Sequence, residues 1–152
     1  MQTITTQQIR DAFVAKILTI DPAFESLQAI RWSYTPSGRK NGRATLPPKT
    51  RSFDIIVGFG APFYGWGGGV GTAYNARFAI ATSYAGVPMD QIEPLLTEDG
   101  VDLRRALNQL RDPTLPGLTN VITIGVQNLS SDSQANLYVE YLFNVEYHQR
   151  TR

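Results

Sequence analysis

Leu137, Val139, Tyr141, Phe143, Val145 and Tyr147 hold the odd positions of the run 137–147, while Glu140, Asn144 and Glu146 stand among the even ones. A strand turns successive side chains to opposite faces, so this alternation predicts a long half-buried β-strand with one packed and one wetted face. Upstream, Val121-Ile122-Thr123-Ile124-Gly125-Val126 is a second β-rich run, and the turn formers Asn128 to Ser133 lie between the two. The chain is expected to close with an antiparallel hairpin.

The helical period governs the opposite end. Thr5 and Gln8 have the spacing of a capping box, and Ile9, Phe13, Ile17 and Ile20 follow at intervals that share one helical face until Asp21-Pro22. An amphipathic helix of about four turns is expected. Ile30, Trp32 and Tyr34 then alternate with Arg31 and Ser33, predicting a strand that ends at Thr35-Pro36.

Residues 35–50 offer almost nothing to bury and are punctuated by Gly and Pro. They read as a long loop, or as a projecting β-arm if Asn41-Gly42 closes a hairpin tip. A strand follows at 53–59, with Phe53, Ile55, Val57 and Phe59 in phase. The segment 60–71 is too rich in glycine for a regular element. Beyond it, Ala76, Phe78, Ile80, Thr82 and Tyr84 again alternate with smaller or polar residues and predict another strand.

Gly86-Val87-Pro88 breaks the pattern, and Asp90 to Glu93 suits a short helical turn. A better helix is expected from Asp99 as N-cap, with Leu103, Ala106, Leu107 and Leu110 on one face and arginines toward its C-terminal half, until Asp112-Pro113. Helix, strand, long loop, two strands, helix and two strands make an α+β domain, with two helices on one face of a largely antiparallel sheet. The predicted core includes Phe13, Ile17, Val57, Phe78, Leu107, Val139, Tyr141 and Phe143. At 152 residues one domain over 1–152 is expected.

Composition narrows the chemistry. The chain has no cysteine, which excludes disulfides and thiolate-metal sites, and its N-terminal residues carry neither a basic cluster nor an apolar stretch. A soluble, unexported protein is expected. Its single histidine, His148, lies beyond the last predicted strand, and no nucleophile-elbow pattern surrounds any serine. The glycine run lacks the spacing and the lysine of a phosphate-binding loop. No enzyme activity and no cofactor or metal are expected. Asp99 and Asp102 are accounted for by capping and the helix dipole.

Net charge is +1, too small to imply bulk attraction to nucleic acid, but it is unevenly spread. Residues 26–53 hold Arg31, Arg39, Lys40, Arg43, Lys49 and Arg51 with no acid, whereas 90–102 hold Asp90, Glu93, Glu98, Asp99 and Asp102 with no base. Either the basic run is a solvated loop, or opposite segments meet across a subunit or partner boundary. Phe63, Tyr64 and Trp66 beside flexible glycines either fold onto their own sheet or form an adaptable aromatic contact surface.

This layout, with its N-terminal amphipathic helix, its long loop between early strands, its second helix and its closing hairpin ending in Tyr-Leu-Phe-Asn-Val-Glu-Tyr, resembles the tail terminator family of long-tailed bacteriophages. The resemblance covers Thr5 to Tyr147 and lies in element order and size. It implies a non-enzymatic virion protein, assembled in the host cytoplasm, that forms a homo-oligomeric ring, hexameric in the family, on the end of the tail tube. Its partners would be the tail tube protein and the head connector, with no membrane and with nucleic acid only as DNA passing through the ring. The chain departs from the family in its glycine-aromatic segment and in the basic character of its long loop, which also admits another neck or tail-tube protein. A binding module using Phe63, Tyr64 and Trp66 is the reading from a different class. The expected interface residues are Arg39, Lys40, Arg43, Phe63, Tyr64, Trp66, Asp90, Glu93, Glu98 and Asp99, with both loops ordering on assembly.

Overall fold

The computed structural model describes residues 3–21, 31–36, 51–58, 61–62, 73–85, 89–131 and 136–149. Helix α1 spans Thr6–Ile17, opened by the expected capping box: the Gln8 backbone N–H donates to the Thr5 hydroxyl, and the Thr5 N–H donates to the Gln8 side chain at 3.0 Å. Ile9, Phe13 and Ile17 are fully buried, the spacing that places one residue per turn against the sheet.

Among the described residues six strands form one sheet: β1 (Ser33–Tyr34), β2 (Arg51–Val57), β3 (Ala61–Pro62), β4 (Ala73–Ala85), β5 (Leu118–Ser131) and β6 (Asn136–His148). The main order is β1-β2-β4-β6-β5, with β3 pairing β4 off that path. Every pairing is antiparallel except β1 with β2. With two helices beside it among the described residues, the fold is α+β.

The register explains the core. Ile55, Ile80 and Tyr141 are successive cross-strand partners, as are Val57, Phe78 and Phe143. All six odd residues of β6 from Leu137 to Tyr147 are buried, as the alternation predicts, but Glu140 and Leu142 on the opposite face are buried too, so that face is not the wetted one expected. Phe13 meets Phe78 with ring centroids 5.3 Å apart, fixing α1 to the middle of the sheet. Of the expected core, only Val57 is partly buried.

Several expectations about elements change: α1 stops at Ile17 instead of carrying on to Ile20, and β2 runs Arg51–Val57 instead of 53–59. The second helix, α2, is continuous over Met89–Asn108, so the short turn at Asp90 and the helix expected from Asp99 are one element that contains Pro94 and Gly100. Proline removes one backbone donor near the start of the helix, and Gly100 gives close access to the sheet, since a Cβ there would stand 3.4 Å from the Tyr141 ring. Strand β5 runs on through Ser131, with Ser130 paired to Tyr138 and Ser131 to Leu137, because a long partner strand overrides the turn preference of Asn128 to Ser131. Within the glycine-rich segment, Ala61–Pro62 forms the short β3. The remainder of that segment and most of the long loop, 37–50, lie outside the described residues.

The N-terminal residues are fastened beneath the end of the hairpin. The Ile4 N–H donates to the His148 carbonyl at 2.7 Å, and the His148 N–H donates to the Gly117 carbonyl at 2.8 Å. Gly117 has φ +95°, and a Cβ there would lie 3.2 Å from Ile4. Glycine therefore answers both a left-handed backbone and a close approach.

Candidate functional site

Two features of the fold compete for function: a buried polar cluster beneath α2 and the open border of β5. The cluster begins with Arg51 at the start of β2, which points into the core because Arg51, Phe53 and Ile55 share a face. Its guanidinium donates to Asp99 Oδ1 at 2.7 Å and lies 4.4 Å from the centre of the Trp32 ring. The Tyr84 hydroxyl donates to Asp99 Oδ2 at 2.8 Å and stands 2.9 Å from the Tyr141 hydroxyl. Tyr141 in turn donates to the Leu96 carbonyl at 3.3 Å. A tyrosine has one proton to give, so with Tyr84 committed to Asp99 the Tyr141 proton is shared between Tyr84 and Leu96.

Burial dominates the electrostatics. Desolvation pushes the Asp99 carboxyl up to about 6, while Arg51 and Tyr84 pull the other way. Tyr84 is raised well above the ordinary tyrosine range by burial and then by Tyr141 and Asp99, so it stays a neutral donor. Burial likewise raises Tyr141. The cluster joins α2 to β2, β4 and β6 and has both its ionic members wholly enclosed. An enclosed arginine-carboxylate pair fixes how a helix docks; it presents no atom to a substrate.

This corrects two sequence expectations. Asp99 is neither an N-cap nor an interface residue: it lies in the interior of α2 with its charge met inside the subunit. Arg51 is no part of a solvated or boundary basic run, being 1% exposed. Arg31 does stay exposed and pairs with Asp21. Of the other expected interface residues, Glu93 is exposed and Glu98 half-buried on α2, and Asp90 lies in its first turn. Arg39, Lys40, Arg43, Phe63, Tyr64 and Trp66 fall outside the described residues. Nothing in local spacing pairs Arg51 with Asp99; the only sequence signal is an arginine in phase with Phe53 and Ile55 on a packed strand face.

The second feature is the border of the sheet. β5 has β6 on one side, and among the described residues no strand lies on the other. Its 14 residues include no charged side chain and no proline. Three register shifts against β6 bend it, one of them between Thr123 and Gly125. Ile122, Ile124 and Val126 are exposed along it. Soluble proteins usually guard such a strand with charge, proline or a covering element, since its free N–H and C=O groups are a template for another chain.

One concavity of about 560 Å³ lies between the start of α1 and the Tyr74 and Tyr147 rings, and its Arg10 is held by Asp54 at 3.3 Å. Among the described residues no three His, Asp or Glu side chains converge as metal ligands. No described helix is long and apolar enough to cross a membrane. The chain matches no model of a known protein family, and no curated protein matches it by sequence.

Proposed function

We propose that this chain is a structural assembly protein of a long-tailed bacteriophage, a tail terminator whose ring caps the tail tube and receives the head connector. The observation that supports this reading is the contrast between the two candidate features. The one described cluster of buried, mutually bonded polar groups is sealed inside the fold, whereas a long uncharged strand has, among the described residues, a neighbour on one side only. A protein that works by being joined to others needs the second and has no use for an exposed reactive group. The order of elements is also that of the tail terminator resemblance, with α1 ahead of the sheet, α2 across it and a long closing hairpin.

A ring needs contacts between unlike surfaces that close on themselves. In this reading Glu93 and Glu98 on α2 lie beside a boundary, with Arg39, Lys40 and Arg43 of a neighbour or of the tube as opposite charges. The partners are other copies of the chain, the tail tube protein and the head connector, and the assembled place is the virion tail or neck.

The test is assembly itself. The purified chain, alone and mixed with tail tubes, is followed by sedimentation velocity and by electron microscopy. Closed rings on tube ends that stop tube growth are the expected result. A chain that stays monomeric and leaves tube ends free overturns the reading.

A further inference from the structure

Two concavities at one end of the sheet share a wall of tyrosine. The larger, about 560 Å³, is lined by Tyr74 and Tyr147 together with Arg10 and Gln149, and the smaller, about 350 Å³, by the same two tyrosines together with Asn120 and Glu146. Both volumes fall in the range of small-ligand sites, roughly 300–1,000 Å³. Tyr74 and Tyr147 are cross-strand partners where β4 begins and β6 ends, with ring centroids 6.3 Å apart and planes inclined by 32°. Tyr147 is buried and Tyr74 half-buried, so a fixed ring backs one that is partly open.

The polar groups around this wall are held in place without being used up. The Tyr147 hydroxyl donates to Gln149 Oε1 at 3.2 Å, and Gln149 is itself fastened by its backbone bridge to Ile4. Arg10 gives one N–H to Asp54 at 3.3 Å and keeps others. Among the described residues the Tyr74 hydroxyl, the Gln149 amide nitrogen and the Glu146 carboxylate have no hydrogen-bond partner. Donors and acceptors therefore stand side by side. Charge narrows the ligand further: Asp54 already matches Arg10 and Glu146 adds a second carboxylate, which disfavours an anion, while a cation in the larger concavity would meet the guanidinium. A neutral molecule fits, provided that it has an apolar face for the ring and hydroxyls that both donate and accept around its rim. A pyranose has both.

We propose that this end of the sheet binds a neutral carbohydrate, the sugar ring lying on Tyr74 with its hydroxyls reaching Arg10 and Gln149 on one side and Asn120 and Glu146 on the other. The site goes beyond the assembly reading and does not rest on it, since none of its groups comes from a second subunit.

The isotope-labelled full chain, titrated separately with glucose, galactose, mannose and N-acetylglucosamine and followed by NMR, tests this. At least one of the four is expected to shift the signals of Arg10, Tyr74, Tyr147 and Gln149 saturably. Tyr74→Ala is expected to weaken that binding by at least about tenfold, and Gln149→Ala, which removes no core side chain, by about three- to tenfold. Absence of saturable shifts at these residues with all four sugars, saturation elsewhere on the chain, or unchanged affinity in a folded Gln149→Ala would each overturn the proposal. Glucuronate binding here more tightly than glucose would overturn the neutral class, because the two differ only in the carboxylate.

Discussion

Arg51 and Asp99, 48 residues apart in the chain, meet at 2.7 Å with neither side chain reaching solvent. The pair ties the first residue of β2 to the middle of α2, and Trp32 closes over the guanidinium. A charge enclosed in this way is tolerated only with its partner present.

Removing one member is therefore expected to cost more than replacing both. Arg51→Met leaves a buried carboxylate and should destabilise by about 3–5 kcal/mol, as should Asp99→Leu, whereas the double variant Arg51→Met/Asp99→Leu should recover much of the loss. Urea unfolding of the four proteins measures this, and additive losses would show that the two residues do not act as a unit.

The same carboxyl gives the protein a pH signature. Its folded value of about 6 lies above the ordinary aspartate value of 3.8, so between those limits the native state holds a proton that the unfolded state has lost. Stability from this group is fully present below the unfolded value and falls as pH rises through the folded one. Thermal melts from pH 4 to 7 should show the stability of the wild type relative to Asp99→Asn decreasing as pH rises. A difference that grows over that range would contradict the assignment.

Gly117 should tolerate no side chain. Alanine there would need a left-handed backbone, costing about 1–2 kcal/mol, and would also press on Ile4, displacing the N-terminal bridge to His148. A fall in Tm, with faster hydrogen exchange at the Ile4 and His148 amides, is the expected outcome.

Phe13→Ala is expected to cost about 3–5 kcal/mol, because the ring is fully enclosed against Phe78 and its removal leaves a cavity between α1 and β4. Thr5→Ala, which removes one side of the capping box at an exposed helix end, should cost about 1 kcal/mol. Chemical denaturation of the two variants side by side tests the ranking. A larger loss for the cap would mean that α1 depends on its own hydrogen bonds more than on packing.

What the sequence determined by itself is whatever depends on neighbours a few residues away. The period of two from Leu137 to Tyr147 set which face of β6 is buried along its whole length, and Ile9, Phe13 and Ile17 set the buried face of α1. Thr5 and Gln8 marked where that helix begins. The tertiary structure decided the rest. β5 extends through Ser131 because β6 is there to pair with it, and α2 is one helix because Gly100 and Asp99 turn toward a sheet that local propensity does not see. Asp99 read as a cap because its side chain suits one; it became half of a buried ion pair because β2 brings Arg51 to the same place. The place of β5 at the end of the described strand order is likewise invisible in its own residues, since a strand lies at the edge of a sheet or in its middle according to which other strands reach it.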